Sequence, residues 1–322
     1  MQRALPQKAR SKVLATVRLR ARATHVMSKA ATLTLGAAYV SPAAISIRCW
    51  LDHLWAHPNF SGRVALVAHA YYPELIGEIR ACFATLPTNA DLIITTPFER
   101  LDVACHKLGD VARARIVGVE NRGRDIAPFL KLLNADELAP YDAVLKLHTK
   151  RSPHLRDGNI RRRMLFSKLA GSRRQTALAL RLFEDPTTGL VGWGCSWRNT
   201  PLLWMDNRDR VEQLCAGMGV EQQLDPAFFE GSMFWVRPAA LNRLRSLGLS
   251  TEKFEVETGQ LDGALHHAVE RAFAIATIAD SFIVRNMHGR KLLTSKSGAA
   301  VGFSGTATNQ DAQSAPEKPK DA

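Results

Sequence analysis

The chain has 322 residues, 46% hydrophobic and 23% charged, a globular balance with room for one large domain or two small ones. Its formal charge of +13 invites a nucleic-acid reading, but nine Lys/Arg and no acid fall within residues 1–51, which leaves only +4 on the rest. That distribution excludes a basic nucleic-acid-binding body and points to a basic arm, suited to an anionic membrane surface on the inner side of the plasma membrane or to a tether.

The arm is assigned to residues 1–60. Residues 30–47 are uncharged but interrupted by Gly36, Ser41 and Pro42, marginal for spanning a bilayer, and the basic region before them is too long for a signal peptide. Five widely spaced cysteines without Cys-x-x-Cys fit reduced thiols in a cytoplasmic protein. The body, 61–290, opens with Arg63–Ala70, an apolar run that predicts a buried strand. Pro73 starts a helix through Leu86, Asp91–Thr96 is a second strand, and Phe98–Val111 a second helix. Arg115–Val119, a helix from Asp125 to Asn134, and a strand Tyr141–Leu147 continue the alternation. Strand and helix in turn, with short connections, predict a mostly parallel sheet covered on both faces. Beyond residue 155 the pattern becomes less regular: helices within Ile160–Phe183, a short strand Thr188–Trp193, helices Arg208–Met218 and Pro238–Leu247, a strand Phe228–Val236, and a long helix Gly259–Ala276. Residues 291–322, rich in Gly, Ala, Ser and Thr, read as a disordered tail.

Asn121–Leu130 (NRGRDIAPFL) places two arginines, a glycine and an aspartate between a strand and a helix. Helix-start amides flanked by guanidinium groups suit a diphosphate. The next strand runs into His148-Thr149-Lys150-Arg151, so cationic loops close two neighbouring strands, as a nucleotide-dependent transferase would require. Gly-x-Gly-x-x-Gly, P-loop, Gly-x-Ser-x-Gly and His-Glu-x-x-His motifs are absent, as is the Asp-x-Asp metal handle of many nucleotide-sugar enzymes. No metal ligands are assigned; a divalent cation (Mg or Mn) would be an alternative to Arg122, Arg124, Lys146, His148, Lys150 and Arg151 for charge on a departing diphosphate. Asp125 has two readings, holding an arginine or capping its helix, beside a ribose contact. His69 and Tyr71 end the first strand, where a tyrosine would either stack on a base or pack. In Gly231–Pro238, Met233 and Phe234 read as core, whereas Trp235 and Arg237 could face a sugar. Asp262, near a helix start, is either a cap or the base that deprotonates an acceptor hydroxyl.

Four segments resemble the rhamnan synthesis F family of bacterial polysaccharide-assembly proteins: NRGRDIAPFL (121–130), YDAVLKLHTKRSPH (141–154), GSMFWVRPAAL (231–241) and GQLDGALHHAVER (259–271). The resemblance implies a GT-A-like fold and a glycosyltransferase acting in cell-wall or O-antigen synthesis. The donor would be a nucleotide-activated rhamnose (dTDP-rhamnose-like), the acceptor a polysaccharide or lipid-linked glycan. By analogy with family-2-type transferases, Asn121-x-Gly123 takes the place of their Asn/Gly loop and Asp262 that of their catalytic carboxylate. The chain departs from the family pattern at Ala264, where threonine is usual, and at Ile160-Arg161, where Trp-Arg is usual. On this reading His69, Tyr71, Asn121, Arg122, Gly123, Arg124, Asp125, Lys146 and Arg151 serve the donor. Gly231, Ser232, Trp235, Arg237, Gln260 and His267 serve the acceptor, and Asp262, His148 and Lys150 the chemistry. The alternative is a non-catalytic glycan-binding or assembly-scaffold protein on a decayed transferase fold.

Overall fold

The computed structural model describes residues 37–52, 54–149, 158–200, 203–220, 227–260 and 262–294. The expectations for the arm before residue 37, for Lys150 and Arg151, and for the tail beyond residue 294 lie outside the described residues.

Four strands follow the first half of the sequence: β1 (Val64–His69), β2 (Asp91–Pro97), β3 (Ala114–Val119) and β4 (Ala143–His148). They pair in parallel in the spatial order β3-β2-β1-β4. All six residues of β1 and of β4 are buried, which is why both read as continuous apolar runs rather than alternating ones. Helices α2 (Ile76–Phe83), α3 (Leu101–Leu108) and α4 (Ile126–Asn134) connect them, and α1 (Pro42–Asp52) precedes β1. In α4 seven of nine residues are buried, and Pro128 sits in the first turn, where its missing N–H leaves no hydrogen bond unmade.

The second half extends the sheet to eight strands, in the order β10-β9-β5-β8-β4-β1-β2-β3. It adds helices α5 (Gly158–Ala170), α6 (Arg173–Phe183), α7 (Arg208–Gly217), α8 (Asn242–Ser246) and α9 (Leu265–Ala279). Strand β8 (Phe234–Val236) runs antiparallel between β4 and β5 (Thr188–Gly192); β9 (Ile283–Asn286) is parallel to β5, and β10 (Lys291–Leu293) closes the edge as a hairpin. The result is a mixed, mostly parallel sheet between two helical layers. One core (Phe129, Leu214, Phe234, Phe273, Ile275) lies under α4, α7, α8 and α9; the other (Ile76, Ile79, Leu169, Phe183, Trp235) under α2, α3, α5 and α6.

Three boundaries differ from the sequence-based expectation. The strand expected over 228–236 is two pieces, β7 (Phe228–Phe229, paired with β6, Trp197–Arg198) and β8, split by a turn at Gly231 (φ 94°) and Ser232 (φ 52°). The helix expected from Gly259 starts at Leu265, because Gly259 and Gly263 both take positive φ. Strand β10 occupies the start of the segment assigned to the tail, and α1 lies in the segment assigned to the arm.

Candidate functional site

In the order β3-β2-β1-β4 the chain steps outward from β1 and then returns to its other side, so β1 and β4 flank a switch point where the connections leave in opposite directions. Crevices at such points, outside the carboxyl ends of the strands, are where open α/β sheets bind ligands. Here a cavity of about 600 Å³ opens, of the size of sites for nucleotide-sized molecules. His69 and His148, the last residues of β1 and β4, are register partners and both line it.

Beneath the floor lies Lys146, 1% exposed. Its ammonium donates to Asp125 Oδ2 at 2.5 Å, to the Ser232 carbonyl at 2.9 Å and to Ser232 Oγ at 2.8 Å. Three aromatic rings (Phe129, Phe234, Phe273) surround it at 5.6–6.0 Å. Alternation along β4 explains its position: Val144, Lys146 and His148 share the face toward α4 and α9. Burial works against the Asp125 carboxylate, but Lys146, His148 and His69 outweigh it and hold the group well below the usual carboxylate range. Burial takes the His69 imidazole down to about 4, with Asp125 opposing and His148 and Lys146 adding, so His69 is neutral at physiological pH. Its Nδ1 lies 3.0 Å from Thr95 Oγ1. His148 Nε2 lies 2.7 Å from the Gly231 carbonyl, so that nitrogen carries the proton and donates it.

The loop after β3 is built on two consecutive left-handed residues, Gly123 (φ 61°) and Arg124 (φ 54°). A Cβ at Gly123 would come within 2.6 Å of Phe254 and Ala127, so glycine is required twice over. This geometry turns Arg124 inward, toward the loop 255–262. Its Nε bonds Glu257 at 3.1 Å, Nη1 lies 3.3 Å from His267 Nε2, and Nη2 donates to the Gln260 carbonyl. Arg124 therefore pins the later loop to the earlier one while lining the cavity.

Asp262 also lines the cavity. Oδ2 accepts the Asp206 amide at 2.9 Å, Oδ1 accepts Asn207 Nδ2 at 2.6 Å, and Arg271 Nη2 stands 3.8 Å away. Burial opposes ionisation, yet the bonds from Asn207 and the Asp206 amide and the charge of Arg271 keep its pKa lowered. The capping anticipated for Asp262 exists, but on the segment leading into α7 rather than on its own helix.

Of the residues expected at the site, His69, Tyr71, Asn121, Arg124, Asp125, His148, Gly231, Ser232, Asp262 and His267 meet around this one cavity. Gly123 shapes the loop and Lys146 supports it from below. Arg122 turns away, to Glu120 at 3.7 Å and the Phe254 carbonyl at 3.4 Å. Trp235 is fully buried in the other core, donating to the Leu169 carbonyl at 3.0 Å, because alternation along β8 sends Phe234 and Trp235 to opposite faces. Arg237 holds the Thr188 and Phe183 carbonyls at the far edge of the sheet, since the antiparallel β8 starts at the cavity and runs away from it. The Gln260 side chain folds back on Val256 and Thr258.

Several lining residues were not anticipated. Arg161 and Arg198 converge on Glu230, at 3.5 and 2.5 Å, and Trp193 and Cys195 lie nearby in the same wall. Glu270 accepts the Gly231 amide at 2.8 Å and fixes the turn that carries Ser232. Arg271 runs along the floor, donating to the Leu203 and His267 carbonyls. Only the charged face of the helix 265–279 pattern hinted at Glu270 and Arg271; Arg198 and Glu230 follow from the β6–β7 ribbon, which has no local signature. Among the described residues no three His, Cys, Asp or Glu side chains group as a metal site. The carboxylates also fit a divalent ion poorly: Asp125 holds Lys146, Glu257 holds Arg124 and Asp262 holds Asp206 and Asn207.

The family model for Rhamnan synthesis protein F matches residues 51–282, an interval that contains every lining residue of the cavity. The chain belongs to the rhamnan synthesis protein F family. It is also 34% identical, over 219 residues, to the uncharacterised protein WxcX of Xanthomonas campestris pv. campestris, in strains B100 and ATCC 33913 alike. The match covers 67% of this chain but 31% of WxcX, so the chain spans about a third of the length of the curated relatives it matches. Membership links this protein to rhamnan polysaccharide synthesis. Among the described residues no helix is long and apolar enough to cross a membrane.

Proposed function

We propose that this family member is a glycosyltransferase of GT-A-like construction. It moves a deoxyhexose, L-rhamnose first among candidates, from a dTDP-type nucleotide-sugar to a growing polysaccharide or lipid-linked glycan on the cytoplasmic side of the membrane. The observation that carries the reading is one cavity at the β1/β4 switch point, lined together by Asn121, Arg124 and Asp125 of the 121–125 loop, by His148 and by an ionised Asp262. The donor lies along His69, Tyr71, Asn121 and Asp125. Attack by an acceptor hydroxyl on the anomeric carbon forms the new C–O bond as the bond to the diphosphate breaks. Asp262 takes the hydroxyl proton, and the negative charge passes to the leaving diphosphate. Arg161 and Arg198, which meet at Glu230 in the cavity lining, are cations that can face that charge, and Lys150 and Arg151 follow Thr149 just beyond β4 in sequence. Gly231, Ser232 and His267 belong to the acceptor side.

A thermal-shift screen of nucleotide-sugars tests the donor assignment. Saturation at one hundred times Kd stabilises by about 2.7 kcal/mol, a rise of several degrees. A dTDP-sugar should give that rise, and Arg124→Ala, which releases the loop 255–262, should abolish most of it. Failure of every nucleotide-sugar to move the transition would reject the reading. One observation favours a second reading, a non-catalytic glycan-binding scaffold: both Asp262 oxygens are already engaged by Asp206 and Asn207. Glycan binding without donor turnover would decide for it.

A further inference from the structure

Helix α1 and the residues just past its end leave apolar side chains exposed. Ile47 and Leu51, four residues apart and so on one helical face, are 59% and 43% exposed. Leu54 and Trp55, just past its end, are 75% and 52% exposed. Hydrogen bonds tie the end of this segment to the body. Asp52 Oδ1 accepts the Arg173 amide at 2.7 Å, Arg173 Nη1 donates to the Trp55 carbonyl at 2.7 Å, and His57 Nδ1 bonds the Leu86 carbonyl at 2.8 Å. Arg174 stacks over the Trp55 ring at 5.6 Å, and on the same exposed face of α6 lie Leu178 and Arg181. The patch is therefore apolar at its centre, with an aromatic and fixed cations at its side. In sequence, residues 1–36 ahead of α1 carry eight Lys/Arg, the last of them Lys29, and no acid.

We infer that this face docks the protein on an anionic lipid bilayer, with Ile47, Leu51, Leu54 and Trp55 entering the interface. The charge selects the occupant: two signals, shallow apolar insertion and a polybasic stretch, are what stable peripheral attachment requires. A protein partner would have to supply a long acidic surface opposite residues 1–36 as well as an apolar one opposite α1. The inference stands independently of the transferase reading.

The test is co-sedimentation of the full chain with vesicles of phosphatidylcholine alone or with phosphatidylglycerol. The expected result is binding at least tenfold tighter to the anionic vesicles, weakened by salt. Ile47→Glu/Leu54→Glu should lose roughly tenfold of that binding while its thermal transition matches the parent. Should the double variant fail to fold, Leu54→Ser, at the most exposed of the four positions, serves instead and should lose about threefold. Equal binding to neutral and anionic vesicles would overturn the inference, as would no binding at all or undiminished binding by the folded variants. A parent dimer that the variants convert to monomer in lipid-free solution would overturn it too, by assigning the face to a second copy.

Discussion

Lys146 offers the sharpest test of how the two halves of the cavity are joined. Its ammonium bonds both the donor-side loop, through Asp125, and the acceptor-side turn, through Ser232. Lys146→Met keeps most of the side-chain volume but leaves the buried Asp125 carboxylate and both Ser232 oxygens without their donor. Removing one partner of a buried pair costs about 3–5 kcal/mol. The carboxyl can escape part of that by protonating, at about 1.4 kcal/mol per unit of pKa rise at neutral pH. The sign of the pH dependence follows. In the parent, Asp125 titrates below its unfolded value, so its contribution is complete above about pH 4 and fades only in strong acid. In the variant the uncompensated carboxyl titrates above its unfolded value, so the destabilisation is greatest at neutral pH and shrinks as acid protonates it. Urea denaturation at pH 7 and pH 4.5 should show the gap between parent and variant narrowing toward acid. Asp125→Asn in the Lys146→Met background should recover about half of the loss, because no charge then remains buried. A variant within about 1 kcal/mol of the parent at pH 7 would refute the reasoning, as would a gap that widens in acid.

Asp262→Asn should lower turnover by about 10²–10⁴-fold with donor affinity kept, because an amide accepts no proton; turnover within a few-fold of the parent, measured by released nucleotide, would leave Asp262 only its capping role. Gly123→Ala should destabilise by about 1–3 kcal/mol in urea, since the residue sits at φ 61° and the new methyl meets Phe254; an unchanged midpoint would mean that the loop adapts freely. His69 binds its proton in the folded state only near pH 4, against 6.5 unfolded, so stability should fall as pH drops from about 6.5 toward 4, by up to about 3 kcal/mol. His69→Asn, which keeps a polar atom near Thr95, should flatten that part of the stability profile; an identical slope would assign it to another group.

The first half of the fold was legible because β1, β2 and β4, buried on both faces, read as apolar runs, and the helices between the strands carry their own periodicity. The C-terminal strand ends then pointed to the cavity, which His69, Asn121, Arg124, Asp125 and His148 line together. The second half was less legible for a physical reason. Its strands are two to five residues long, and β8 enters the sheet antiparallel from a distant part of the chain. Within it, side-chain direction decides what a residue meets: Ser232 touches Lys146 beside the cavity, whereas Trp235, three residues on, belongs to the opposite layer. Arg124 shows a further limit. Its charge was readable, but its partners, Glu257 and Gln260, lie more than 130 residues away.

The slotting of β8 between β4 and β5 also has a consequence for the nascent chain. When residue 192 has been made, β4 and β5 both carry bare hydrogen-bonding edges, and the strand that satisfies both arrives only with residues 234–236. Through that interval two apolar ribbons wait with nothing between them, the condition under which mispairing and intermolecular association compete with assembly. A ribosome pausing within the intervening forty or so codons would prolong the hazard.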